Sequence, residues 1–194
     1  MVQLKKMLSA GRSVVEVPAI GVSVDMPEPD VCVVTSDGVR IPMHSKILAS
    51  ASPVLEEIIE MVQNRRNRKP DIPILGVPYG AVCAFLAFLY SAKCRDDQME
   101  MYGVHLLALS HVYSVSHLKQ RCTRGLSDRL STENVVDMIQ LARLCSAPDL
   151  HIKCMKLLST NFKAVEETEG WKFLQDNDPY LELEILQFMD EDES

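Results

Sequence analysis

The sequence has no long hydrophobic segment. Its longest strongly apolar run, Ala81 to Tyr90, is far shorter than the ~20 residues that a helix needs to cross a bilayer. Lys5 and Lys6 near the amino terminus are not followed by an apolar stretch of the secretory type. We therefore expect neither a membrane partner nor secretion.

Recognisable catalytic and metal-binding motifs are also absent. No nucleophile elbow, phosphate-binding glycine loop, HExxH or CxxC motif occurs, and the chain has only eight glycines. The pair His151 and Cys154 has a spacing that metal ligands allow, but no further ligand is close in sequence. We expect no enzyme activity, cofactor or metal, and we expect the six cysteines to be reduced and mostly buried.

Positive charge is scarce and unevenly distributed. The formal net charge is −7, yet residues 164–194 contain eleven acids and one lysine, so the other 163 residues carry +3. A basic run, Arg65 to Lys69, fits a solvated loop better than an import signal or an anion-binding patch. With no large basic face, direct binding to nucleic acid is not expected.

Local signals predict a small α/β half followed by helices. Asp37-Gly38 between β-prone segments predicts a hairpin, and Ser52-Pro53 predicts a helix start. The run from Ala81 to Tyr90 predicts a central buried helix. Further helices are expected from four apolar series, namely Leu106, Leu107, Leu109 and Val112; Leu118, Cys122 and Leu126; Val135, Met138, Ala142 and Cys145, capped by Ser131; and Leu150, Cys154, Leu157 and Leu158.

Residues 30–55 resemble the BTB/POZ domain. The features that carry the resemblance are the Asp37-Gly38 turn, the segment Ile41-Pro42-Met43-His44 and the segment Ser52-Pro53-Val54-Leu55. Phe85 to Ser91 matches a helix end of the same family. Leu130 to Asn134 and Gly170-Trp171-Lys172 look like the BACK-type helical extension of ubiquitin-ligase adaptors.

The pattern is also similar to the plant BTB/POZ-and-TAZ-domain protein family, whose zinc-binding TAZ domain is absent from this sequence. The resemblance implies an α+β fold, with a small sheet flanked by helices and then an all-helical BACK-like extension. We expect a mobile arm at 1–13, the BTB/POZ domain at 14–115, the extension at 116–188 and an acidic tail or cut linker at 189–194.

By resemblance, the chain is a non-catalytic homodimeric adaptor that binds a cullin scaffold of the RING ubiquitin-ligase class and is found in the nucleus and cytoplasm. The expected dimer interface comprises Val15, Val17, Val22, His44, Ile47, Leu48, Val54 and Leu55. The expected cullin-facing residues are Ile58, Met61, Val62, Gln63, Asn64 and Tyr90.

Two departures from the family pattern keep an alternative open. Ser45 stands where most BTB domains have a basic residue, which argues against the charged pocket of some BTB repressors. The sequence from Met61 to Arg65 lacks the glutamate of the hydrophobic-x-Glu motif that cullin-binding BTB domains tend to carry. The alternative is a dimeric scaffold that recruits transcriptional regulators without a cullin.

Calmodulin is a further possible partner, because Lys119, Arg121, Arg124 and Arg129 flank the apolar series from Leu118 to Leu126. The same pattern also fits a core helix with a charged outer face, and we favour that interpretation.

Overall fold

The computed structural model describes residues 27–63 and 70–192. Within these ranges a small sheet and its helices are followed by a helical region. The strands are β1 (Val31–Thr35), β2 (Arg40–Met43) and β3 (Asp71–Ile74). The helices are α1 (Ser45–Ala51), α2 (Pro53–Gln63), α3 (Tyr79–Ser91), α4 (Asp96–Val112), α5 (Ser116–Ser127), α6 (Val135–Leu144), α7 (Pro148–Thr160), α8 (Phe162–Val165), α9 (Glu169–Asn177) and α10 (Pro179–Asp192).

The sheet has the strand order β2-β1-β3. β1 pairs antiparallel with β2 and parallel with β3, so that Val33 lies opposite Ile41 on one side and Ile72 on the other. The hairpin turns at Gly38, whose φ of 76° suits glycine. The two outer strands each contain an exposed proline, Pro42 and Pro73, which an edge strand tolerates. The predicted hairpin is confirmed.

Two predicted helix features of the α/β half are also confirmed. The Ser52 hydroxyl caps α2 by accepting a hydrogen bond from the Leu55 N–H at 3.1 Å. Helix α3 is central, since Val82, Phe85 and Leu86 are fully buried. The combination of a small three-stranded sheet with mostly helical structure is the α+β architecture expected from the sequence.

The helical region is built on apolar stripes that the spacing predicts. Leu118, Cys122 and Leu126 of α5 are buried, as are Leu150 and Cys154 of α7. These residues join one continuous hydrophobic core that runs from Val31 in the sheet to Ile185 in α10. A core helix with a charged outer face is therefore the correct interpretation of α5.

One local prediction was wrong. The N-cap position of helix α6 is Asn134 rather than Ser131; the Asn134 side chain makes no capping bond to the helix, and its Oδ1 accepts a hydrogen bond from the Ser131 N–H at 2.9 Å. The predicted apolar series of α4 forms a helix, but Val112 is 59% exposed while Leu106 and Leu107 are buried. Helix α4 carries apolar residues on both its core face and its outer face, so periodicity alone did not separate the two.

Candidate self-association and partner-docking surfaces

A closed polar network holds His44 at the start of α1. The Nε2 atom of His44 lies 2.8 Å from the Pro27 carbonyl oxygen, and Nδ1 lies 2.8 Å from the Tyr90 hydroxyl. A carbonyl can only accept, so Nε2 carries a proton and donates it to Pro27. The Tyr90 hydroxyl accepts from the His44 backbone N–H at 2.9 Å and is left free to donate to Nδ1.

Asp30 and Ser45 form a second polar contact beside that network. The carboxylate of Asp30 accepts hydrogen bonds from the Ser45 backbone N–H at 2.7 Å and from the Ser45 hydroxyl at 2.5 Å. Partial desolvation alone would raise the pKa of the Asp30 carboxyl, but the hydrogen bonds from Ser45 outweigh it and lower that pKa below its usual 3.8. Two donors of Ser45 therefore satisfy the Asp30 carboxylate without a basic residue at position 45.

Three residues predicted at the dimer interface are buried within the single chain. Leu48 and Leu55 are fully buried. His44 is only 8% exposed, and both of its ring nitrogens are engaged in hydrogen bonds. The same apolar spacing marks a core face and an interface face, so their part in a dimer contact stays a prediction.

Helix α2 brings together residues predicted for two different surfaces. Val54, Ile58 and Met61 are spaced i, i+4 and i+7, which places them on one flank of the helix. Val54 and Ile58 are half-buried against the core, whereas Met61 is 66% exposed. We call these three residues the α2 stripe. The α2 stripe contains one residue predicted for the dimer interface, Val54, and two residues predicted to face a cullin, Ile58 and Met61.

Helix α4 carries a second exposed stripe that the sequence reasoning missed. Met101, Val104, Ala108 and Val112 follow a 3-4-4 spacing and share one outward face. Met101 is 69% exposed and Ala108 is half-buried. We call these four residues the α4 stripe. The spacing was readable in the sequence, but the leucines of the buried face gave the stronger signal.

A hydrogen bond connects the helices that carry the two stripes. The buried hydroxyl of Ser52, directly before α2, donates to the carbonyl oxygen of Tyr113, directly after α4, at 2.5 Å. The rings of Tyr113 and Phe85 pack with centroids 5.4 Å apart, so the junction is anchored on the central helix α3. The end of α4 is therefore held against the start of α2.

The remaining predicted site residues divide into two groups. Ile47, Val62 and Tyr90 are half-buried and retain some exposed surface. The others lie outside the described side chains and have no structural assignment: Val15, Val17, Val22, Gln63 and Asn64.

The chemistry of the described residues gives no reactive centre. All six cysteines are free thiols, and five of them are buried. Desolvation raises the pKa of Cys122 and of Cys154 to about 12, which disfavours their nucleophilic thiolate forms. In the part of the chain described here, no cluster of three or more His, Cys, Asp or Glu residues suits a metal ion, and no helix is long and apolar enough to span a membrane.

Comparison with known proteins places these features in a family. The BTB/POZ domain family matches residues 26–130. The chain is 58% identical over 171 residues to BTB/POZ and TAZ domain-containing protein 2 of Arabidopsis thaliana, covering 87% of this chain and 47% of that protein. It is 57% identical over 175 residues to BTB/POZ and TAZ domain-containing protein 1 of the same plant, covering 89% and 48%.

A more distant relative shows the same pattern of coverage. BTB/POZ and TAZ domain-containing protein 5 of Arabidopsis thaliana is 40% identical over 158 residues, which cover 81% of this chain and 43% of that protein. The chain thus spans about half the length of the curated relatives it matches. With the family matched over residues 26–130, the chain belongs to the BTB/POZ domain family.

Proposed function

We propose that this chain is the self-associating part of a non-catalytic adaptor that recruits substrates to a cullin-RING ubiquitin ligase. The observation that carries the proposal is the exposed α4 stripe on a BTB/POZ domain. About three turns of apolar surface on one helix cost solvation free energy unless a partner covers them. An adaptor uses such a surface to raise the effective concentration of substrate near the ligase.

Self-association and cullin binding would use adjoining surfaces. We assign the dimer contact to the half-buried Ile47 and Val54, together with the predicted residues between 15 and 22. We assign the cullin contact to Met61 at the end of the α2 stripe and to the α4 stripe. This division is supported by the change along α2 from half-buried Val54 to exposed Met61.

The alternative function is a BTB dimer that recruits transcriptional regulators without a cullin. One sequence observation favours it, since Gln63, Asn64 and Arg65 provide no glutamate after α2. Calmodulin binding through α5 would require Leu118, Cys122 and Leu126 to leave the core, where all three are buried.

Light scattering behind size exclusion tests the proposal, with the chain alone and mixed with a purified cullin N-terminal domain. The expected result is a dimer that forms a 2:2 complex. A dimer that ignores the cullin would support the transcriptional scaffold instead. A monomer would contradict the self-association on which both functions depend.

Variants separate the two surfaces. Met101→Glu places a charge in the α4 stripe and should weaken cullin binding at least about tenfold while the dimer persists. Ile47→Asp should reduce dimerisation instead. Leu144→Glu is the matched control, because Leu144 is 77% exposed on α6, outside both stripes. Equal loss of cullin binding in the Met101 and Leu144 variants would contradict the assignment of the α4 stripe.

A further inference from the structure

A cleft lies between α5 and α7, remote in sequence from the α2 and α4 stripes. Its volume is about 700 Å³. α5 contributes Lys119 and Arg124, and α7 contributes Asp149, Ile152, Lys153 and Lys156. The cleft is therefore lined mainly by two long helices, together with Ser146 and Ala147 of the loop before α7.

The charge of this cleft is strongly positive for an acidic protein. Four basic side chains and one acidic side chain line it, whereas the whole chain has a formal net charge of −7. Among residues 27–63 and 70–192, none of the four cations makes an ion pair or donates a side-chain hydrogen bond. The acid, Asp149, lies in the first turn of α7, where a carboxylate is stabilised by the helix dipole.

Other basic side chains near the cleft behave differently. Arg121 of α5 donates a hydrogen bond to the Cys94 carbonyl oxygen at 2.5 Å, and Arg129 donates to the Gly125 carbonyl oxygen at 2.8 Å. The Arg121 bond joins α5 to the segment before α4, whereas the Arg129 bond is local to the end of α5. The four cations that line the cleft make no such hydrogen bond or ion pair with the described residues.

The cleft also offers apolar contact. Ile152 is half exposed between the basic side chains, and Ala147 and Pro148 line the same wall. Lys153 and Lys156 are one helical turn apart, so their ammonium groups lie on the same side of α7. Cys154 and Leu158 of the same helix are fully buried on its core side. Helix α7 therefore turns its apolar stripe inward and its cations toward the cleft.

We propose that this cleft binds an acidic peptide segment of a partner protein, with Lys119, Arg124, Lys153 and Lys156 pairing with its carboxylates. An apolar side chain of the segment would contact Ile152. Charge complementarity carries the choice of occupant, because a lining of net positive charge attracts carboxylates and raises their association rate. This site adds a second docking surface to the adaptor and does not depend on cullin binding.

A peptide fits the cleft better than a nucleic acid. Single-stranded nucleic acid is held by aromatic stacking as well as by charge, but no aromatic side chain is among the described residues that line this cleft. The carboxylate of Asp149 would also repel a phosphate backbone. Asp149 interferes less with a peptide, whose acidic positions can be spaced to avoid it and whose backbone N–H groups can donate to it.

Fluorescence anisotropy tests the proposal on the whole chain. The probe is a fluorescein-labelled hexapeptide of sequence Glu-Asp-Leu-Glu-Asp-Glu, and its control replaces each acid by the corresponding amide. At ~0.15 M salt, where exposed charges beyond ~8 Å are screened, the acidic probe should bind and the amide probe should not. Equal binding of the two probes would overturn the proposal.

Two charge-matched variants test the location. Lys153→Glu with Lys156→Glu should weaken binding of the acidic probe at least about tenfold. Lys93→Glu with Lys163→Glu changes the net charge equally at exposed lysines outside the cleft and should leave binding within about twofold. All four residues are exposed, and circular dichroism checks that both variants fold. Equal weakening by the two double variants would mean general attraction and would overturn the site.

Two other occupants are outcomes of the same experiment. An unlabelled single-stranded DNA 12-mer that displaces the probe at lower concentration than the unlabelled hexapeptide would assign the cleft to nucleic acid and overturn the peptide proposal. A fall in the light-scattering mass of the Lys153→Glu/Lys156→Glu variant, not seen for the control pair, would assign the cleft to a second copy of this chain and would also overturn it.

Discussion

The two parts of this chain are held together by different kinds of contact. In the α/β part, residues 27–115, side-chain hydrogen bonds join residues far apart in sequence, such as Ser45 with Asp30 and Ser52 with Tyr113. In the helical part most side-chain hydrogen bonds are local, such as Thr160 with the Lys156 carbonyl. Helices satisfy their own backbone groups, whereas turns and short strands depend on side chains to do so.

This difference predicts how each part responds to mutation. The helical part should be most sensitive to cavities, because apolar packing is its main source of stability. The α/β part should also be sensitive to the loss of single polar atoms, because their partners would be left buried and unsatisfied.

The largest effect is expected for Leu150→Ala in α7. Leu150 is fully buried, and truncation leaves a cavity, so the free energy of unfolding should fall by about 3 kcal/mol. Urea unfolding measures this change in the free energy of unfolding. Leu144→Ala is the control at a 77% exposed position and should change stability by less than about 0.5 kcal/mol. Similar small losses for both variants would mean that apolar packing does not dominate the helical part.

Ser52→Ala should have the next largest effect. The variant removes the α2 cap from the Leu55 N–H and the donor to the Tyr113 carbonyl, both in a buried setting. A loss of about 2 kcal/mol is expected by urea unfolding. Ser50→Ala removes only an exposed local bond to the Ile47 carbonyl and should cost under about 0.5 kcal/mol. An equal loss of free energy of unfolding in Ser52→Ala and Ser50→Ala would contradict a larger contribution from long-range polar contacts.

Local signals predicted much of this fold because their physics is local. The Asp37-Gly38 turn, the Ser52-Pro53 helix start and the Leu118, Cys122, Leu126 stripe each depend on neighbours within a few residues. The second role of the Ser52 hydroxyl depends on Tyr113, which is 61 positions away in sequence. The close approach of Gly80 to the Tyr102 ring, where a Cβ would clash, is likewise a consequence of packing.

The candidate sites were harder to predict than the fold. Leu48 and Leu55 have the spacing of an interface and of a core alike, and only three-dimensional packing shows that they are buried. The α4 stripe was hidden by a helix with apolar residues on both faces. The basic residues of α5 were recognised as an outer face, but the cleft exists only because α7 packs beside them.

Tyr90→Phe should have a smaller effect than Ser52→Ala. The variant keeps the ring but removes the hydroxyl that joins the His44 N–H to the His44 Nδ1. Because Tyr90 is only half-buried, water can replace part of the loss, and about 1 kcal/mol is expected. Tyr180→Phe, at an 82% exposed position on α10, is the control and should be neutral. A neutral Tyr90→Phe would show that the network contributes little stability.

The smallest effect concerns pH and Asp30. Its pKa is lowered in the folded state, so the ionised carboxylate stabilises the fold above the unfolded pKa of ~3.9. That contribution is lost as the pH falls through the lower folded pKa. Asp30→Asn should therefore be slightly less stable than the parent at pH ~7, by well under ~1 kcal/mol since Asp30 is exposed. The difference should shrink below pH ~4 in urea unfolding.

Ser45→Ala sharpens this last prediction. It removes the hydroxyl donor to Asp30 but keeps the backbone N–H donor at 2.7 Å. The same pH dependence should therefore appear at reduced size, with the carboxyl pKa moving back toward its usual 3.8 in a carbon-detected NMR titration.

A pH-independent difference between Asp30→Asn and the parent would mean that Asp30 acts through shape rather than charge. The polar contacts of the α/β part would then be steric rather than electrostatic in origin.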